Sequence, residues 1–168
     1  IASDLILGPD SPLPLALAQA AVMADAGNDR ARLLLAHTLS RAGEPARAIA
    51  TLKAIPPTSP YRDAARAGRV QILANADRID EAIAAAEAEA RDNTPASLQR
   101  YGDLLMTADR PAEAVPVYRR LIDKGEADWS TWLQYGAALD EAGDWPGAHR
   151  ALQEAVRLAP EEPLALNY

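Results

Sequence analysis

A short pattern recurs four times along the chain at almost constant spacing, and it restricts the possible fold more than any other feature. The four stretches are RAGEPARA (41–48), NADRIDEA (75–82), TADRPAEA (107–114) and EAGDWPGA (141–148). Their last residues, Ala48, Ala82, Ala114 and Ala148, are separated by 34, 32 and 34 residues. A fixed period of this length is typical of repeat proteins in which each repeat is one supersecondary unit.

The last repeat predicts two helices joined by a tight turn. Its first apolar stripe has helical spacing and consists of Trp132, Tyr135, Gly136 and Leu139. Gly143 suits a left-handed position just past that helix, Asp144 can cap the next one, and Pro146 falls in its first turn. The second stripe consists of Ala148, Leu152 and Ala155, and Pro160 ends the helix.

Small residues occupy the positions at which the two helices of a repeat are expected to cross. Gly136 and Ala148 hold these positions in the last repeat, and their size sets how closely the axes approach. The corresponding pairs in two earlier repeats are Gly102 with Ala114 and Ala36 with Ala48.

The chain resembles the tetratricopeptide repeats, whose pattern is W-x2-L-G-x2-Y followed by A-x3-F and P. The last repeat matches this pattern through Trp132, Tyr135, Gly136, Leu139, Ala148, Leu152 and Pro160. The repeat before it supplies Leu98, Tyr101, Gly102, Leu105, Ala114 and Tyr118, and the first supplies Leu35, Ala36, Leu39, Ala48, Leu52 and Pro60. The second repeat is degenerate: it keeps Leu73 and Ala82 but has Arg69 and Val70 where Leu-Gly is expected. The 32-residue interval predicts that its closing loop is short.

The resemblance implies an all-α, right-handed solenoid of antiparallel helix pairs. We place the repeats at 29–62, 63–94, 95–128 and 129–162. Residues 1–28 are expected to hold a tail and the second helix of an earlier repeat, and 163–168 the start of a further one. The sequence is similar to long bacterial multi-repeat proteins, many of them exported. We therefore expect a piece of a longer array and slightly favour the periplasm or cell envelope over the cytoplasm.

Charge is unevenly distributed along the chain. Residues 29–70 carry eight basic and three acidic side chains, a net charge of +5, whereas 71–168 carry nine basic and eighteen acidic ones, a net of −9. With a total net charge of −7, the chain has no general attraction for nucleic acid or anionic membranes. The separation predicts either two differently charged solvated faces or a surface that orients a partner.

No catalytic or metal-binding pattern stands out. His37 and His149 are the only histidines, they lie in different repeats, and no Cys is present. Nucleotide-binding, metalloprotease and hydrolase motifs are missing from the sequence. We therefore expect a protein that is not an enzyme and needs no cofactor or metal.

The three tryptophans are expected to be structural. Trp132 and Trp145 occupy apolar positions of the resembled repeat, and Trp145 is expected to lock the turn together with Ala148. Trp129 is off the stripe, and we favour packing at a junction between repeats over a role as a binding anchor.

The resemblance implies a groove lined by the first helix of each repeat, in which a peptide or helix of a partner protein binds. Carried onto this sequence, the groove residues are Arg30, Leu33, His37, Arg41, Gln71, Asn75, Gln99, Asp103, Met106, Ser130, Leu133, Ala137, Asp140 and Glu141. The alternatives are a regulatory or positioning region of a larger protein, and an array that associates with itself through exposed apolar ends. No nucleic-acid partner and no membrane insertion are expected.

Overall fold

The computed structural model describes residues 13–161, and this part of the chain consists of nine α-helices without a β-strand. The helices are α1 (Leu13–Ala24), α2 (Asp29–Arg41), α3 (Pro45–Lys53), α4 (Arg62–Asn75), α5 (Ile79–Ala90), α6 (Pro95–Thr107), α7 (Pro111–Asp123), α8 (Trp129–Glu141) and α9 (Trp145–Leu158). The prediction for 163–168 lies outside the described residues, as does the tail before Leu13. None of the nine helices is long and apolar enough to cross a membrane.

The contacts divide the chain into two compact units, and the boundary between them falls within the sequence of α5. The first unit ends at Ala85 and contains α1 to α4, and the second begins at Ala86 and contains α6 to α9. In the first unit α2 packs on α1, α3 and α4, and in the second α8 packs on α6, α7 and α9. The predicted fold class, an all-α array of antiparallel helix pairs, is confirmed within each unit.

Three-residue turns reverse the chain between α2 and α3, α4 and α5, α6 and α7, and α8 and α9. The middle residue of each turn has a left-handed backbone: φ is 76° at Gly43, 59° at Asp77, 58° at Asp109 and 86° at Gly143. Glycine adopts this conformation without a Cβ penalty, and Asp is among the residues that tolerate it best. The four similar stretches of sequence are therefore four turns of the same geometry, as predicted.

Caps and prolines fix where the helices begin. The side chain of Asp144 accepts a hydrogen bond from the Gly147 amide at 3.0 Å, so it caps α9 as predicted. Asn28 caps α2 in the same way through the Ala31 amide at 2.9 Å. Pro residues stand in the first turn of α3, α6, α7 and α9, where a missing N–H breaks no helical hydrogen bond.

The glycines at the predicted crossings lie directly against large side chains. A Cβ on Gly102 would meet the ring of Tyr118 at 2.7 Å, and one on Gly136 would meet the side chain of Leu152 at 2.7 Å. Ala148 is buried close to the second crossing. The role predicted for the two glycines is confirmed.

The prediction that Trp145 packs against the turn is wrong, because 72% of its surface is exposed. The residue opens α9, and its neighbours from Ala142 to Asp144 are small or exposed themselves, so nothing is available to cover the indole. Trp129 and Trp132 are half-buried, and Trp132 packs edge-on against Tyr135 with ring centroids 6.2 Å apart.

The second repeat closes with a short loop, as predicted. Only residues 91–94 separate α5 from α6, whereas 54–61 connect α3 to α4 and 124–128 connect α7 to α8. Arg120 supports the short loop by donating to the Ala90 carbonyl at 3.1 Å and to Asn93 at 3.0 Å. Helix α4 begins at Arg62, one residue before the predicted start of this repeat, and the division into four repeats stays a proposal.

Candidate functional site

An open polar cleft of about 510 Å³ lies in the second unit, between the first helices of two consecutive pairs. Helices α6 and α8 form its sides, and the α7–α8 loop contributes one edge. The lining residues are Pro95, Ala96, Gln99, Asp103, Leu121, Glu126, Asp128, Ser130, Thr131 and Gln134. A volume of this size lies within the roughly 300–1,000 Å³ of typical ligand sites.

Asp103 is held in place on the wall that α6 contributes. Its carboxylate accepts a hydrogen bond from the Gln99 amide at 2.8 Å and another from the Tyr118 hydroxyl at 2.8 Å. Burial raises the pKa of the Tyr118 hydroxyl, and the neighbouring Asp103 carboxylate raises it further, so this phenol stays a donor. The cleft therefore presents a carboxylate whose orientation is set by two partners.

Asp128 occupies the opposite edge and caps α8. It accepts hydrogen bonds from the Thr131 amide at 2.9 Å and from the Ser130 and Thr131 hydroxyls at 2.8 and 2.9 Å. Burial raises the pKa of Asp128, but these hydrogen bonds outweigh it and hold the pKa below its usual range. The Thr131 hydroxyl oxygen also lies 3.4 Å from the side-chain oxygen of Gln99 on the other wall.

The lining provides many hydrogen-bond acceptors and no cation. Carboxylates of Asp103, Glu126 and Asp128 are accompanied by amide and hydroxyl groups, while no Lys, Arg or His borders the cleft. Within residues 13–161, no group of three or more His, Asp or Glu side chains could hold a metal ion. His149 is exposed and hydrogen-bonds Gln153 at 3.0 Å, and His37 is exposed on α2. The arrangement is suited to binding donors from another molecule.

In the first unit, the groove residues predicted on α2 form one stripe along the helix. Arg30, His37 and Arg41 are exposed, and Leu33 between them is half-buried. On α4, Gln71 and Asn75 are exposed and their side-chain amides hydrogen-bond each other at 2.8 Å. Their assignment to a groove stays a prediction.

In the second unit, the cleft brings together three of the predicted groove residues, which are Gln99, Asp103 and Ser130. Three further predictions do not line it: Met106 and Leu133 are half-buried, and Ala137 is buried at 8% exposure. Asp140 and Glu141 are exposed at the end of α8, away from the lining.

Sequence reasoning missed the cleft residues that come from the loop. Asp128 had a recognisable signal, because an Asp three residues before a Thr at the start of an apolar helix is a typical N-cap. Glu126 carried no such signal. The hydrogen bond between Tyr118 and Asp103 joins residues fifteen apart and depends on how α6 and α7 pack, which no local pattern reports.

Comparison with known proteins bears on the fold. A family model described as "Tetratricopeptide repeat" matches residues 15–62. A search of curated protein sequences gave no significant match.

Solved structures similar to this chain are repeat proteins of low sequence identity. "MamA 41-end" from Desulfovibrio magneticus RS-1 is 23% identical over 80% of this chain and 77% of its own, with a TM-score of 0.64. Another structure of MamA is 18% identical over 92% of this chain and 90% of its own, with a TM-score of 0.69. YrrB, described as "a TPR protein with an unusual peptide-binding site", is 17% identical over 91% of this chain and 97% of its own, with a TM-score of 0.55.

Proposed function

We propose that this chain, which has the tetratricopeptide-repeat fold, is a scaffold for protein–protein interaction and holds a peptide segment of its partner in the cleft between α6 and α8. The cleft is the observation that carries the proposal. It lies between the first helices of consecutive pairs, where the resemblance placed a binding groove, and Gln99, Asp103 and Ser130 contribute to both.

The chemistry of the lining selects the kind of segment. Oriented carboxylates and amides accept hydrogen bonds, so they favour Lys and Arg side chains and the N–H groups of an extended backbone. Pro95 and Ala96 supply apolar surface along the same cleft. A segment that alternates basic and small apolar residues fits this lining, and the solved structure of YrrB, described as having a peptide-binding site, is a precedent within the fold.

A block at the mouth of the cleft tests the proposal. Ala96 is exposed on α6 and lines the cleft, so Ala96→Arg places a cation and a long side chain there. We expect the variant to bind a fluorescein-labelled decapeptide of alternating Lys and Ala at least about tenfold more weakly than the parent, a loss of about 1.4 kcal/mol. Fluorescence anisotropy at low salt measures the affinity.

The matched control is Ala112→Arg. Ala112 is exposed, follows a Pro at the start of α7 as Ala96 follows one in α6, and does not line the cleft. It therefore adds the same charge at the same helix position and should leave the affinity unchanged. Equal losses in both variants, or none in Ala96→Arg, would place the peptide elsewhere.

Self-association is a second candidate, favoured by exposed apolar side chains on α1. Leu17 is 61% exposed and Met23 is 86% exposed, and only Ala18 of this helix is buried. Large apolar side chains in water on one short helix are a feature of surfaces that bind another protein.

A further inference from the structure

The two hydrogen bonds that orient Asp103 in the cleft between α6 and α8 end on the same carboxylate oxygen. The Gln99 amide and the Tyr118 hydroxyl both donate to Oδ1, each at 2.8 Å. A carboxylate oxygen accepts about two hydrogen bonds, so Oδ1 is fully used within the protein. Asp103 is exposed, and among the described residues no hydrogen bond reaches its Oδ2. Oδ2 is therefore the oxygen left to accept from another molecule.

The phenol that occupies Oδ1 is peculiar to this repeat. The family pattern has Phe at the position of Tyr118, and the corresponding residues of the other three repeats are Leu52, Ala86 and Leu152. A phenylalanine would fill the space beside Gly102 as well as Tyr118 does, since the hydroxyl takes no part in that contact. What the hydroxyl adds is its hydrogen bond to Asp103.

The acid on which this phenol acts is also peculiar to the third repeat. The positions that correspond to Asp103 are His37, Gln71 and Ala137, none of which is acidic. The carboxylate and the buried hydroxyl that holds it therefore occur together in the one pair of helices, α6 and α7, that borders the cleft.

A carboxylate with one free oxygen distinguishes between the two basic side chains. The guanidinium group of arginine binds a carboxylate best through two parallel N–H···O bonds, one to each oxygen. Asp103 cannot receive such a fork while two internal donors fill Oδ1. The ammonium group of lysine is a compact charge with three donors, and a single oxygen is enough to bind it.

The carboxylate at the opposite edge of the cleft is restricted in the same way. Oδ1 of Asp128 accepts from the Thr131 amide and from the Ser130 and Thr131 hydroxyls. Three donors on one oxygen leave no place there for half of a guanidinium fork. Neither oriented carboxylate of the cleft thus presents both of its oxygens.

We propose that the cleft between α6 and α8 selects lysine over arginine in the segment that it binds, and that Tyr118 sets this selectivity by occupying Oδ1 of Asp103. The selectivity rests on the proposed function of the cleft. Tyr118 is a positioning residue, because it is fully buried and acts through the carboxylate.

Two peptides of equal length and charge test the selectivity on the parent protein. They are fluorescein-labelled decapeptides of alternating Lys and Ala and of alternating Arg and Ala, and fluorescence anisotropy at low salt measures both affinities. We expect the Lys peptide to bind at least about threefold more tightly than the Arg peptide. A surface that is merely acidic would give the opposite order, because arginine pairs more strongly with a carboxylate whose two oxygens are free.

Tyr118→Phe tests the cause. The variant keeps the ring beside Gly102 and removes one donor from Oδ1, so Asp103 can accept a guanidinium fork. The ratio of the two affinities should fall from about threefold to about one. Tyr101→Phe is the matched control, because it removes the same hydroxyl from a half-buried residue of α6 that does not line the cleft, and it should leave the ratio unchanged. Circular dichroism checks that both variants are folded.

The outcomes separate this selectivity from the function of the cleft. Tighter or equal binding of the Arg peptide by the parent would overturn the selectivity and leave the cleft as a peptide site. An unchanged ratio in Tyr118→Phe, or an equal change in Tyr101→Phe, would overturn the role of Tyr118. Binding of neither peptide would overturn the cleft as a site and the selectivity with it.

Discussion

Close helix crossings in this protein depend on single residues that lack a side chain. Gly102 leaves room for the Tyr118 ring, and Gly136 leaves room for Leu152. Burying Tyr118 in this way also positions its hydroxyl on Asp103, so one glycine contributes both to packing and to the shape of the cleft. The small residue is therefore a requirement of the site as well as of the fold.

Gly102→Ala is expected to destabilise the chain. Its Cβ would lie 2.7 Å from a rigid ring, and such overpacking costs about 1–3 kcal/mol. The higher helix propensity of Ala offsets about 1 kcal/mol of this cost at most, so we expect a net decrease in the free energy of unfolding. Urea unfolding followed by far-UV circular dichroism measures the free energy of unfolding. Gly68→Ala is the control, because its Cβ meets only the flexible end of Leu52 at 3.2 Å, and we expect no loss there. An unchanged midpoint in Gly102→Ala would contradict the observed crossing.

The sequence predicts these crossings well because they follow from the period. The sequence does not predict that Trp145 is exposed. The family pattern gives the position of this residue along the helix, but it does not show whether side chains of the turn cover the indole. In the sequence, Arg69 stands out only as a departure from the family pattern. The cavity that it lines together with Arg66 depends on where α3 ends and how α4 packs on it, which is information about tertiary structure.

At the scale of the helix, the N-caps connect the start of each element to its surroundings. Asp144 caps α9 and Asp128 caps α8, and the second of them lines the cleft between α6 and α8. Ser130 and Thr131 complete the α8 cap by donating their hydroxyls to Asp128. The cap therefore fixes the edge of the candidate site at the same time as it begins the helix.

Asp128→Ala should cost about 0.5–2 kcal/mol of stability at neutral pH, because it removes the acceptor for the Thr131 amide. Asp128→Asn keeps an acceptor and loses the charge, so it should cost less. The folded-state pKa of Asp128 lies below its ordinary value of 3.8. The charge therefore stabilises the fold above that value, and its contribution is lost as the pH falls through the lower folded pKa.

The stability difference between the parent and Asp128→Asn is thus expected to shrink in acid, below about pH 3.8. Urea titrations of both proteins across the acid range measure it. Glu126→Gln, in the same loop, should leave the stability at neutral pH unchanged. A difference between parent and Asp128→Asn that grew on acidification would show that the charge opposes folding.

At the scale of the whole molecule, cavities with linings of opposite charge lie in different compact units. The cleft between α6 and α8 in the second unit is lined by carboxylates. A cavity of about 170 Å³ in the first unit, where the end of α3 meets α4, is lined by three arginines and Lys53. The excess of basic residues in 29–70 and of acidic residues in 71–168 is therefore also found in the linings of these two cavities. Composition indicated this polarity, whereas the identity of the lining residues required the packing of helices distant in sequence.

The exposed apolar side chains of α1, Leu17 and Met23, bear on the oligomeric state of the protein. Burying a leucine or methionine side chain contributes about 1.5–3 kcal/mol, so Leu17 and Met23 together support weak association once the entropic cost of binding is subtracted. We expect the parent mass measured by light scattering to rise above 17.9 kDa as the concentration increases from about 10 μM to about 1 mM. Leu17→Glu with Met23→Glu should stay monomeric, because each substitution would bury a carboxylate in the contact.

Leu158→Glu is the matched control for this surface. Leu158 is 42% exposed, but it lies at the end of α9 in the second unit, so its substitution should leave the concentration dependence of the mass unchanged. A parent that stays monomeric throughout would remove self-association as a function of the chain. Loss of association in Leu158→Glu alone would show that the contact lies on α9 and not on α1, because a charge disrupts association only where the side chain is buried between copies.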